Sequence, residues 1–430
     1  CGLCVVAMEG SPKLFRACAT AVAEGMVIKT DTPKVKESRK VALELLLSDH
    51  TGDCRPPCAL NCPAGTDCQG YVGMVANGQF KEAVKRIKEV FPLPSSIGRV
   101  CPHPCESACR RKMVEEPISI AFIKSFVGDK DLASGNPYMP ECEESTGHSV
   151  AVIGGGPAGL TAAYQLARKG HEVTIYDAMP KMGGMLRYGI PSYKLEKDLL
   201  AAEIDVIRKL GVEIRCGVEI GKDITIEELR EQGYKGFYVA IGCQRGRKPG
   251  ITGENAKGAY AAVDFLREAG AKESFALEGD VVVVGGGNVA IDAARISSRC
   301  VDAKISMFCL EQRENMPASK EEIAEALEEG IELNCGWGPK EVLEEDGKVA
   351  GVVFKKCIRV LDEQGRFSPE YDEEQTVTIP CKHVIFSVGQ AIEWGDMLDN
   401  LDLKRRPNGG ALADKLTYQT SEPDIFVGGD

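Results

Sequence analysis

The sequence has no long apolar segment and no excess of positive charge. No run of 18 apolar residues occurs, which argues against a transmembrane helix, and no basic start leads into an apolar stretch of the kind found in signal peptides. The formal net charge of −12 argues against a nucleic-acid partner, because phosphates require a basic protein face. We therefore expect a cytoplasmic protein with no direct membrane insertion.

Cysteine, by contrast, is abundant and unevenly distributed. Eleven of the 18 cysteines lie in residues 1–142. A disulfide scaffold is one interpretation, but the second half carries nucleotide-binding motifs of cytosolic enzymes, whose thiols stay reduced. Ligation of metal ions or clusters is the favoured interpretation. Cys142 and the seven later cysteines are scattered, and we expect them to be core residues.

The chain divides by pattern into a β-like start, a helical stretch and a long α/β part. At 430 residues it is too long for one compact core. Residues 1–30 are apolar with glycine turns, residues 34–130 show apolar positions at helical spacing, and residues 131–147 read as a polar linker. From Ser149 onward, apolar strands alternate with helices, which predicts parallel sheets in an α/β fold.

A glycine-rich motif of the dinucleotide-binding type begins the α/β part. Gly154, Gly156 and Gly159 lie between an apolar strand and a helical segment, and Asp177 ends the next strand. These glycines permit a tight turn, backbone approach to a pyrophosphate and close helix–strand packing, in that order. Asp177 can accept hydrogen bonds from both ribose hydroxyls. A glycine turn without a ligand is disfavoured, because strand, helix and acid all stand in their expected places.

The same pattern recurs at Gly285, Gly287 and Ala290, where alanine is an accepted variant of the third glycine. Two dinucleotide sites in one chain predict one flavin and one nicotinamide nucleotide. We expect two doubly wound Rossmann-like domains, the second inserted into the first. The segments VIFSVGQ (384–390) and DIFVGGD (424–430) are both predicted to supply strands that return to the first sheet.

The stretch GGMLRYGIP (183–191) strongly resembles the small subunit of glutamate synthase and the flavoprotein part of dihydropyrimidine dehydrogenase. The resemblance covers roughly residues 35–430 and includes VAIG, GGGNVAIDAAR, MPAS and the final VGGD. It implies that the first site binds FAD and the second binds NAD(P)H. It also implies that Gly429 and Asp430 contact the phosphate and ribityl region of the flavin.

Residue by residue, the resemblance implies two sets of cofactor contacts. The residues that match the FAD site are Gly154, Gly156, Pro157, Ala158, Gly159, Asp177, Gly184, Met185, Leu186, Gly429 and Asp430. The residues that match the nicotinamide-nucleotide site are Gly285, Gly287, Asn288, Val289 and Ala290, and Glu311 and Arg313 are further predicted contacts in a segment that departs from the family pattern. We expect no side-chain general acid or base, because hydride and electron transfer need none.

The segment CLEQRENMPA (309–318) departs from the pattern of family members that use NADPH. Those members carry two arginines where this sequence has Leu310 and Glu311. A carboxylate binds a ribose diol but repels a 2′-phosphate, so NADH is favoured over NADPH. NADPH stays an alternative coenzyme, because Arg313 is close enough in sequence to reach the same pocket. A solvated surface charge is the alternative interpretation of Glu311.

The start of the chain places Cys1, Cys4 and Cys18 in the setting EGSPKLFRACAT. This pattern resembles the [2Fe–2S] ferredoxin-like domain of respiratory NADH dehydrogenase large subunits and iron hydrogenases. Such a cluster needs four thiolates, so a fourth cysteine would precede residue 1. We therefore expect the chain to be a fragment of a longer polypeptide.

Two [4Fe–4S] clusters are expected in the helical stretch, although its seven cysteines fall one short of eight ligands. These cysteines are Cys54, Cys58, Cys62, Cys68, Cys101, Cys105 and Cys109. The segment LLLSDHTGDC resembles the part of respiratory NADH dehydrogenases in which a histidine ligates a cluster, so His50 is the predicted eighth ligand. The resemblance assigns His50, Cys54, Cys58 and Cys109 to one cluster. The other would be held by Cys62, Cys101, Cys105 and, as our choice for the remaining place, Cys68.

Two alternatives accompany this ligand assignment. Zinc is one, because cysteine-rich loops also bind zinc, but the spacing, the following prolines and the adjacent flavin domain favour iron–sulfur clusters. His103 is a second candidate histidine, and we expect it to be a loop residue rather than a ligand.

Five segments are predicted from these motifs. Residues 1–33 would end a [2Fe–2S] ferredoxin-like domain, 34–147 would form a helical [4Fe–4S] domain, 148–246 the first part of an FAD domain, 247–386 an NAD(P)H domain, and 387–430 the truncated second part of the FAD domain.

The resemblance implies an NAD(P)H-dependent FAD and iron–sulfur oxidoreductase subunit. Its cofactors would be FAD, NADH or NADPH, two [4Fe–4S] clusters and one [2Fe–2S] cluster. Hydride would pass between NADH and FAD, and single electrons would pass through the clusters to a ferredoxin or a further redox subunit. Two alternatives stay open: an NADPH-dependent glutamate synthase small subunit, and a structural cluster-carrying subunit of a larger redox complex.

Overall fold

The computed structural model describes residues 2–49, 55–271 and 275–430. A small antiparallel sheet comes first, made of β1 (Val5–Met8), β2 (Leu14–Arg16) and β3 (Ile28–Lys29) in the order β2-β1-β3. Helix α1 (Pro33–Ser48) follows. The hydroxyl of Thr32 accepts a hydrogen bond from the amide of Val35, and Pro33 occupies the first turn, so two local signals set the start of this helix.

The predicted helical stretch is confirmed. It contains α2 (Pro57–Leu60), α3 (Cys68–Ala76), α4 (Phe80–Lys88), α5 (Pro94–Val100), α6 (Pro104–Ser107) and α7 (Ile120–Ala133). Helix α7 packs against α3, α4, α5 and α6, and the buried hydroxyl of Tyr71 donates to the carbonyl of Ile120 at 3.0 Å. Among the described residues, no helix has both the length and the apolar character needed to cross a bilayer.

Alternating strands and helices make up the rest of the described chain. Residues 149–239 form β4 (Ser149–Ile153), α8 (Pro157–Arg168), β5 (Glu172–Asp177), α9 (Met185–Tyr188), α10 (Lys197–Lys209), β6 (Glu213–Cys216), α11 (Ile226–Glu231) and β7 (Tyr234–Val239). Later residues form β8 (Arg245–Gly246), β9 (Ala259–Ala261), α12 (Ala262–Ala271), β10 (Val281–Val284), α13 (Asn288–Cys300), β11 (Ile305–Cys309), α14 (Lys320–Glu328), β12 (Glu332–Cys335), β13 (Trp337–Glu345), β14 (Lys348–Leu361), β15 (Phe367–Pro380), β16 (His383–Phe386), β17 (Gln390–Ala391) and β18 (Ile425–Val427).

Two five-stranded parallel sheets are built from these elements. The first has the order β18-β7-β4-β5-β6 and the second has the order β12-β11-β10-β16-β9. The chain leaves the first sheet after β7 and returns to it with β18, so the second sheet is inserted into the first. The predicted α/β fold with two Rossmann-like units is confirmed.

One strand assignment is wrong. The segment VIFSVGQ supplies β16, which pairs with β10 and β9 in the second sheet instead of returning to the first. Both sheets are parallel and covered on their two faces, so their strands share the same apolar composition. The sequence pattern therefore cannot tell which sheet such a strand joins.

A three-stranded antiparallel sheet, β13-β14-β15, was not predicted. Asp346 and Gly347 connect β13 to β14 with φ values of +52° and +72°, which suit a tight hairpin turn. Phe354 of this sheet stacks on Phe308 of the second parallel sheet with ring centroids 4.0 Å apart. The Asp-Gly pair between two apolar runs is the sequence signal that could have located the hairpin.

Two of the cysteines expected in the core are exposed. Cys142 lies in the linker and Cys216 ends the edge strand β6. Cys309, Cys357 and Cys381 are buried, and the remaining three later cysteines are half-buried. Position at a sheet edge, which the local sequence does not reveal, decides the exposure of Cys216.

Helix α5 joins the helical stretch to the first parallel sheet. Leu93, Ile97 and Val100 share one hydrophobic cluster with Leu160 of α8 and Ile204 of α10. The apolar side of α5 thus packs with α8, which follows the first glycine motif, and with α10.

A buried carboxylate holds the start of α5. Glu203 of α10 is 2% exposed and accepts hydrogen bonds from the amides of Ser95 at 2.7 Å and Ser96 at 2.9 Å. First-turn amides have no partner within their own helix, so Glu203 satisfies them from outside. Burial raises the pKa of Glu203 to about 7, although the serine donors oppose this effect.

Replacing Glu203 by alanine should lower the free energy of unfolding by about 2–4 kcal/mol, because two buried amides lose their acceptor. Denaturant unfolding would measure the change. Asp205→Ala is the matched control on the same helix. The carboxylate of Asp205 pairs with Arg208 and Lys209 at the surface, so its removal should lower the free energy of unfolding by less than about 1 kcal/mol. Equal losses in the two variants would contradict the capping role.

The raised pKa of Glu203 also determines the direction in which folding stability changes with pH. Since the folded pKa of about 7 exceeds the unfolded value of about 4.3, the contribution of Glu203 is complete below the unfolded value and is lost as the pH rises through 7. Relative to Glu203→Gln, whose amide does not titrate, the wild-type chain should lose stability between about pH 5 and pH 8. A pH-independent difference between these two chains would show that Glu203 does not titrate in this range.

Candidate functional site

The first glycine loop connects β4 to α8 at the carboxyl edge of the first parallel sheet. Gly154 has a φ of +108°, and a Cβ there would stand 2.4 Å from the carbonyl oxygen of Ala240, so only glycine is accommodated. A Cβ on Gly159 would stand 1.9 Å from the carbonyl oxygen of Gly154, so helix and loop are in close contact. No described side chain caps α8 at Gly156, which leaves its first-turn amides available to a phosphate.

Asp177 ends β5 and holds the loop from the side. Its Oδ2 accepts a hydrogen bond from the amide of Gly155 at 2.6 Å, and its Oδ1 accepts one from the amide of Met179 at 2.7 Å. Burial raises the pKa of this carboxyl, and the two amide donors oppose that effect. The carboxylate therefore lies beside Gly155, the middle one of the three consecutive glycines at 154–156.

A cavity of about 680 Å³ opens over this loop, a size suited to a large cofactor. The predicted FAD residues that line it are Gly154, Gly156, Pro157, Ala158, Asp177, Gly184, Met185, Gly429 and Asp430. Gly429 packs against the first turn of α8, since a Cβ on it would stand 3.2 Å from the Cβ of Ala158. Leu186 does not line the cavity: it is 4% exposed and belongs to the core beneath it.

Other walls of the cavity come from residues that the sequence analysis did not name. They include Arg245 after β7, Trp394, and Asp264 and Arg267 of α12. Arg267 donates to the carbonyl oxygen of Gln244 at 3.2 Å. No sequence signal locates these residues, because α12 reaches the cavity through tertiary contacts with α9 and β8.

The second glycine loop connects β10 to α13 in the same way. Gly285 has a φ of +146°, and a Cβ there would stand 2.6 Å from a backbone oxygen and 3.3 Å from the Cβ of Ala290. Ala290 is buried in the position of the third glycine, and Val289 packs on the core of the second unit. The Oδ1 of Asn288 accepts a hydrogen bond from the amide of Ser319 at 2.9 Å, which ties the start of α13 to the MPAS segment.

Glu311 stands in the second site where Asp177 stands in the first. Its Oε2 is 2.8 Å from the Cβ position of Gly286, and the Oδ2 of Asp177 is 2.9 Å from that of Gly155. Each carboxylate therefore lies beside the middle glycine of its loop. Glu311 is half-buried, which argues against a freely solvated surface charge, whereas Arg313 is exposed in a short 3-10 helix.

The cysteines of the helical stretch fall into two neighbouring sets. Cys68 and Cys105 are buried, and the hydrogen bond between their thiols raises the pKa of Cys68 and lowers that of Cys105. Cys62 lies near enough to Cys68 for its charge to raise the same pKa further. Burial raises the pKa of Cys58, and the charge of Cys109 adds to the effect.

Cys101 and His103, two further residues considered in the sequence analysis, lie beside the ends of helices. Cys101 follows the last residue of α5, and its Sγ accepts a hydrogen bond from the amide of His103 at 3.4 Å. His103 has a φ of +40° and precedes α6, with Nδ1 3.6 Å from a carboxylate oxygen of Glu106. The predicted ligands His50 and Cys54 lie outside the described residues.

The N-terminal thiols also face each other. The Sγ atoms of Cys4 and Cys18 are 3.2 Å apart, and backbone hydrogen bonding by Cys18 lowers the pKa of Cys4. Cys1 lies outside the described residues. All 16 described cysteines are free thiols, as cluster ligands must be before a cluster binds. Within the described ranges, no three His, Cys, Asp or Glu side chains gather as the ligands of a single metal ion.

Comparison with known protein families gives three matches along the chain. Residues 148–430 match the pyridine nucleotide-disulphide oxidoreductase family. Residues 48–136 match the 4Fe-4S domain II of dihydropyrimidine dehydrogenase, and residues 1–33 match a 2Fe-2S iron-sulfur cluster binding domain. Together they confirm the predicted resemblances and favour iron–sulfur clusters over zinc.

Three curated relatives illustrate the range of the similarity. The NADP(+)-dependent formate dehydrogenase subunit beta of Moorella thermoacetica is 36% identical and matches 87% of this chain, which spans 56% of that relative. The glutamate synthase [NADPH] small chain of Halomonas elongata is 32% identical, over 89% of this chain and 83% of its own. The NAD-dependent dihydropyrimidine dehydrogenase subunit PreT of Escherichia coli O157:H7 is 33% identical, over 87% of this chain and 84% of its own length.

A solved structure agrees with the fold. The FprA protein of Mycobacterium tuberculosis in complex with NADPH has a TM-score of 0.55 and 18% identity, over 66% of this chain and 78% of its own. At this identity the likeness concerns the fold alone. The family matches, by themselves, support a flavin and a pyridine nucleotide in the α/β part and iron–sulfur clusters in the part before it.

Gly287→Ala should weaken pyridine-nucleotide binding without disturbing the fold. Gly287 has a φ of −96°, and a Cβ there would meet no described atom within 4 Å, so the methyl group would project into the path of the pyrophosphate. We expect KM for the nucleotide to rise about tenfold or more, equivalent to about 1.4 kcal/mol, with unchanged flavin content.

Gly285→Ala is the contrasting variant for this test. Because Gly285 has a positive φ and a backbone oxygen 2.6 Å from its Cβ position, this change should lower stability as well as binding. An unchanged KM in Gly287→Ala would mean that the nucleotide does not approach this loop.

Proposed function

The chain belongs to the pyridine nucleotide-disulphide oxidoreductase family, and we propose that it passes electrons between NADH and iron–sulfur clusters through a bound FAD. When bound, FAD supplies two-electron hydride chemistry and the clusters supply one-electron chemistry. The protein's own residues bind and orient these groups and keep them close together. The cytoplasm, where thiols stay reduced, is the compartment that this proposal implies.

The position of α5 carries the proposal. Leu93, directly before α5, and Val100, its last residue, lie in the same hydrophobic cluster as Leu186, which follows the cavity-lining Met185. Cys101 comes directly after α5. The same helix therefore touches the core behind the flavin cavity and ends at a predicted cluster ligand, which supports electron transfer between the two.

Glu311 supports NADH as the preferred nucleotide. In the first site, the corresponding carboxylate of Asp177 lies beside the middle glycine of the loop, where it can accept hydrogen bonds from ribose hydroxyls. Glu311 has the same relation to Gly286. A carboxylate in this place attracts a ribose diol and repels a 2′-phosphate. Arg313, exposed nearby, is the residue through which NADPH could still be used.

Two [4Fe–4S] clusters and one [2Fe–2S] cluster complete the proposed cofactor set. Cys62, Cys68, Cys101 and Cys105 would hold one [4Fe–4S] cluster, and the hydrogen-bonded thiols of Cys68 and Cys105 support that grouping. The other would be held by His50, Cys54, Cys58 and Cys109. The facing thiols of Cys4 and Cys18, with Cys1, would hold part of the [2Fe–2S] ligand set.

The proposed partner is a ferredoxin or a further redox subunit. The relative in Moorella is itself a subunit of a formate dehydrogenase, which supports a role within a larger assembly. A glutamate synthase small chain is the second candidate, because the chain spans 83% of the Halomonas small chain. Glu311 and the match to a [2Fe–2S] domain favour the first candidate.

Anaerobic titration of the purified protein with NADH, and separately with NADPH, tests the proposed function. We expect NADH to bleach the flavin absorbance and to produce reduced-cluster signals in electron paramagnetic resonance. Iron-containing protein that neither nucleotide reduces would favour the structural cluster-carrying subunit. Reduction by NADPH alone would refute the proposed preference for NADH.

Replacing Leu310 and Glu311 together by arginine should shift the preference toward NADPH. The new guanidinium groups can pair with a 2′-phosphate that the carboxylate repels. We expect the ratio of kcat/KM for NADPH to that for NADH to rise at least about tenfold, which is about 1.4 kcal/mol. Steady-state kinetics with an artificial electron acceptor would measure both values.

Glu314→Arg is the matched control for this substitution. Glu314 is exposed in the 3-10 helix next to Glu311, so the change adds similar charge without entering the glycine loop. A double variant whose nucleotide ratio matches that of Glu314→Arg would refute the role of Glu311 in coenzyme choice.

A further inference from the structure

Lys124 is a buried cation in the middle of the helical stretch. It lies on α7, which packs against α3, α4, α5 and α6, and it is only 4% exposed. Its Nζ lies 4.9 Å from the centroid of the Phe91 ring. No carboxylate among the described residues forms an ion pair with it. An ammonium group in such a place is costly unless another negative charge compensates it.

The nearby carboxylates are already engaged elsewhere. Glu106 accepts a hydrogen bond from the amide of Ala121 at 2.8 Å, at the start of α7. Asp131, further along α7, pairs with the buried Lys88 at 2.9 Å. Neither carboxylate therefore serves as the counter-charge of Lys124.

The core beside Lys124 contains thiols. Phe91, whose ring Lys124 contacts, belongs to the same hydrophobic core as Cys68 and Cys105, and Cys62 packs against this core. Helix α7, which carries Lys124, also contacts α3, which begins at Cys68, and α6, which contains Cys105. The ammonium is thus placed where thiolates, rather than carboxylates, can compensate it.

We propose that Lys124 is the counter-cation of the cluster held by Cys62, Cys68, Cys101 and Cys105, and that it raises the reduction potential of this cluster. The inference rests on the proposed function, because it requires that the cluster be bound there. Lys124 is a tuning residue and not a ligand, since an ammonium group has no free electron pair to donate.

The sign of the effect follows from charge. One-electron reduction of a [4Fe–4S] cluster with four thiolate ligands takes its total charge from 2− to 3−, with no bond formed or broken and no proton transferred. A fixed positive charge nearby stabilises the more negative state more strongly. Burial prevents water from screening the interaction, so the effect of Lys124 should exceed that of an exposed lysine.

Lys124→Met in the full chain with its cofactors tests the inference. Methionine has a similar length and suits the apolar contact with Phe91 without the charge. In a redox titration with dithionite and mediators, followed by electron paramagnetic resonance, one of the two [4Fe–4S] signals should become at least tenfold harder to reduce. For one electron, a tenfold change is a shift of 59 mV to more negative potential. The other cluster should keep its potential.

Lys130→Met is the matched control. Lys130 lies on the same helix with its Nζ 4.8 Å from the centroid of the Phe80 ring, but it is exposed to solvent. Its removal changes the net charge equally and should leave both potentials close to those of the wild type. Lys124→Arg, which retains the charge, should also stay close to the wild type.

The outcomes separate the inference from the proposed function. Wild-type protein that binds no [4Fe–4S] clusters would refute the proposed function itself. Fully loaded Lys124→Met with unchanged potentials, or with a shift equal to that of Lys130→Met, would refute the role of Lys124. If Lys124→Met does not load its clusters, Lys124→Gln, which keeps a polar end without the charge, provides the same comparison of potentials.

Discussion

The architecture depends on the buried contact between the carboxylate of Glu203 and the first amides of α5. A carboxylate that is 2% exposed is tolerated because two amides, which have no partner in their own helix, donate to it. The contact fixes the start of α5 against α10. The other end of this helix leads into Cys101, so one interaction ties the thiol-rich core to the unit that contains the first glycine loop.

The two nucleotide units reuse one local geometry and differ in what surrounds it. In both, a carboxylate stands beside the middle glycine of the loop: Asp177 beside Gly155 and Glu311 beside Gly286. The first loop alone, in the described chain, is covered by the returning segment that contains Gly429. In our proposal, coenzyme choice depends on Glu311 and its neighbours, while distant parts of the chain complete the cavity over the first loop.

Charge inside the helical stretch is arranged differently from charge at the surface. The chain is acidic, with a net charge of −12, yet two lysines are buried among its helices. Lys88 is compensated by Asp131, whose carboxylate is also buried. Lys124 contacts the ring of Phe91, which lies in the same core as the thiols of Cys68 and Cys105, and these carry a negative charge only as thiolates. In our proposal, the same residue type serves packing in one place and a cofactor in another.

Much of this organisation was readable from local signals, and some of it was not. Both glycine loops and the change from helices to alternating strands were predicted, because each depends on residues adjacent in the chain. The strand at Val384 was assigned to the wrong sheet, and the docking of α5, the wall formed by Arg267 and the burial of Lys124 were missed. The sequence by itself determined backbone turns and the chemistry of potential ligands, whereas only the tertiary structure decided which distant residues meet, because burial and pairing depend on contacts between segments far apart in the chain.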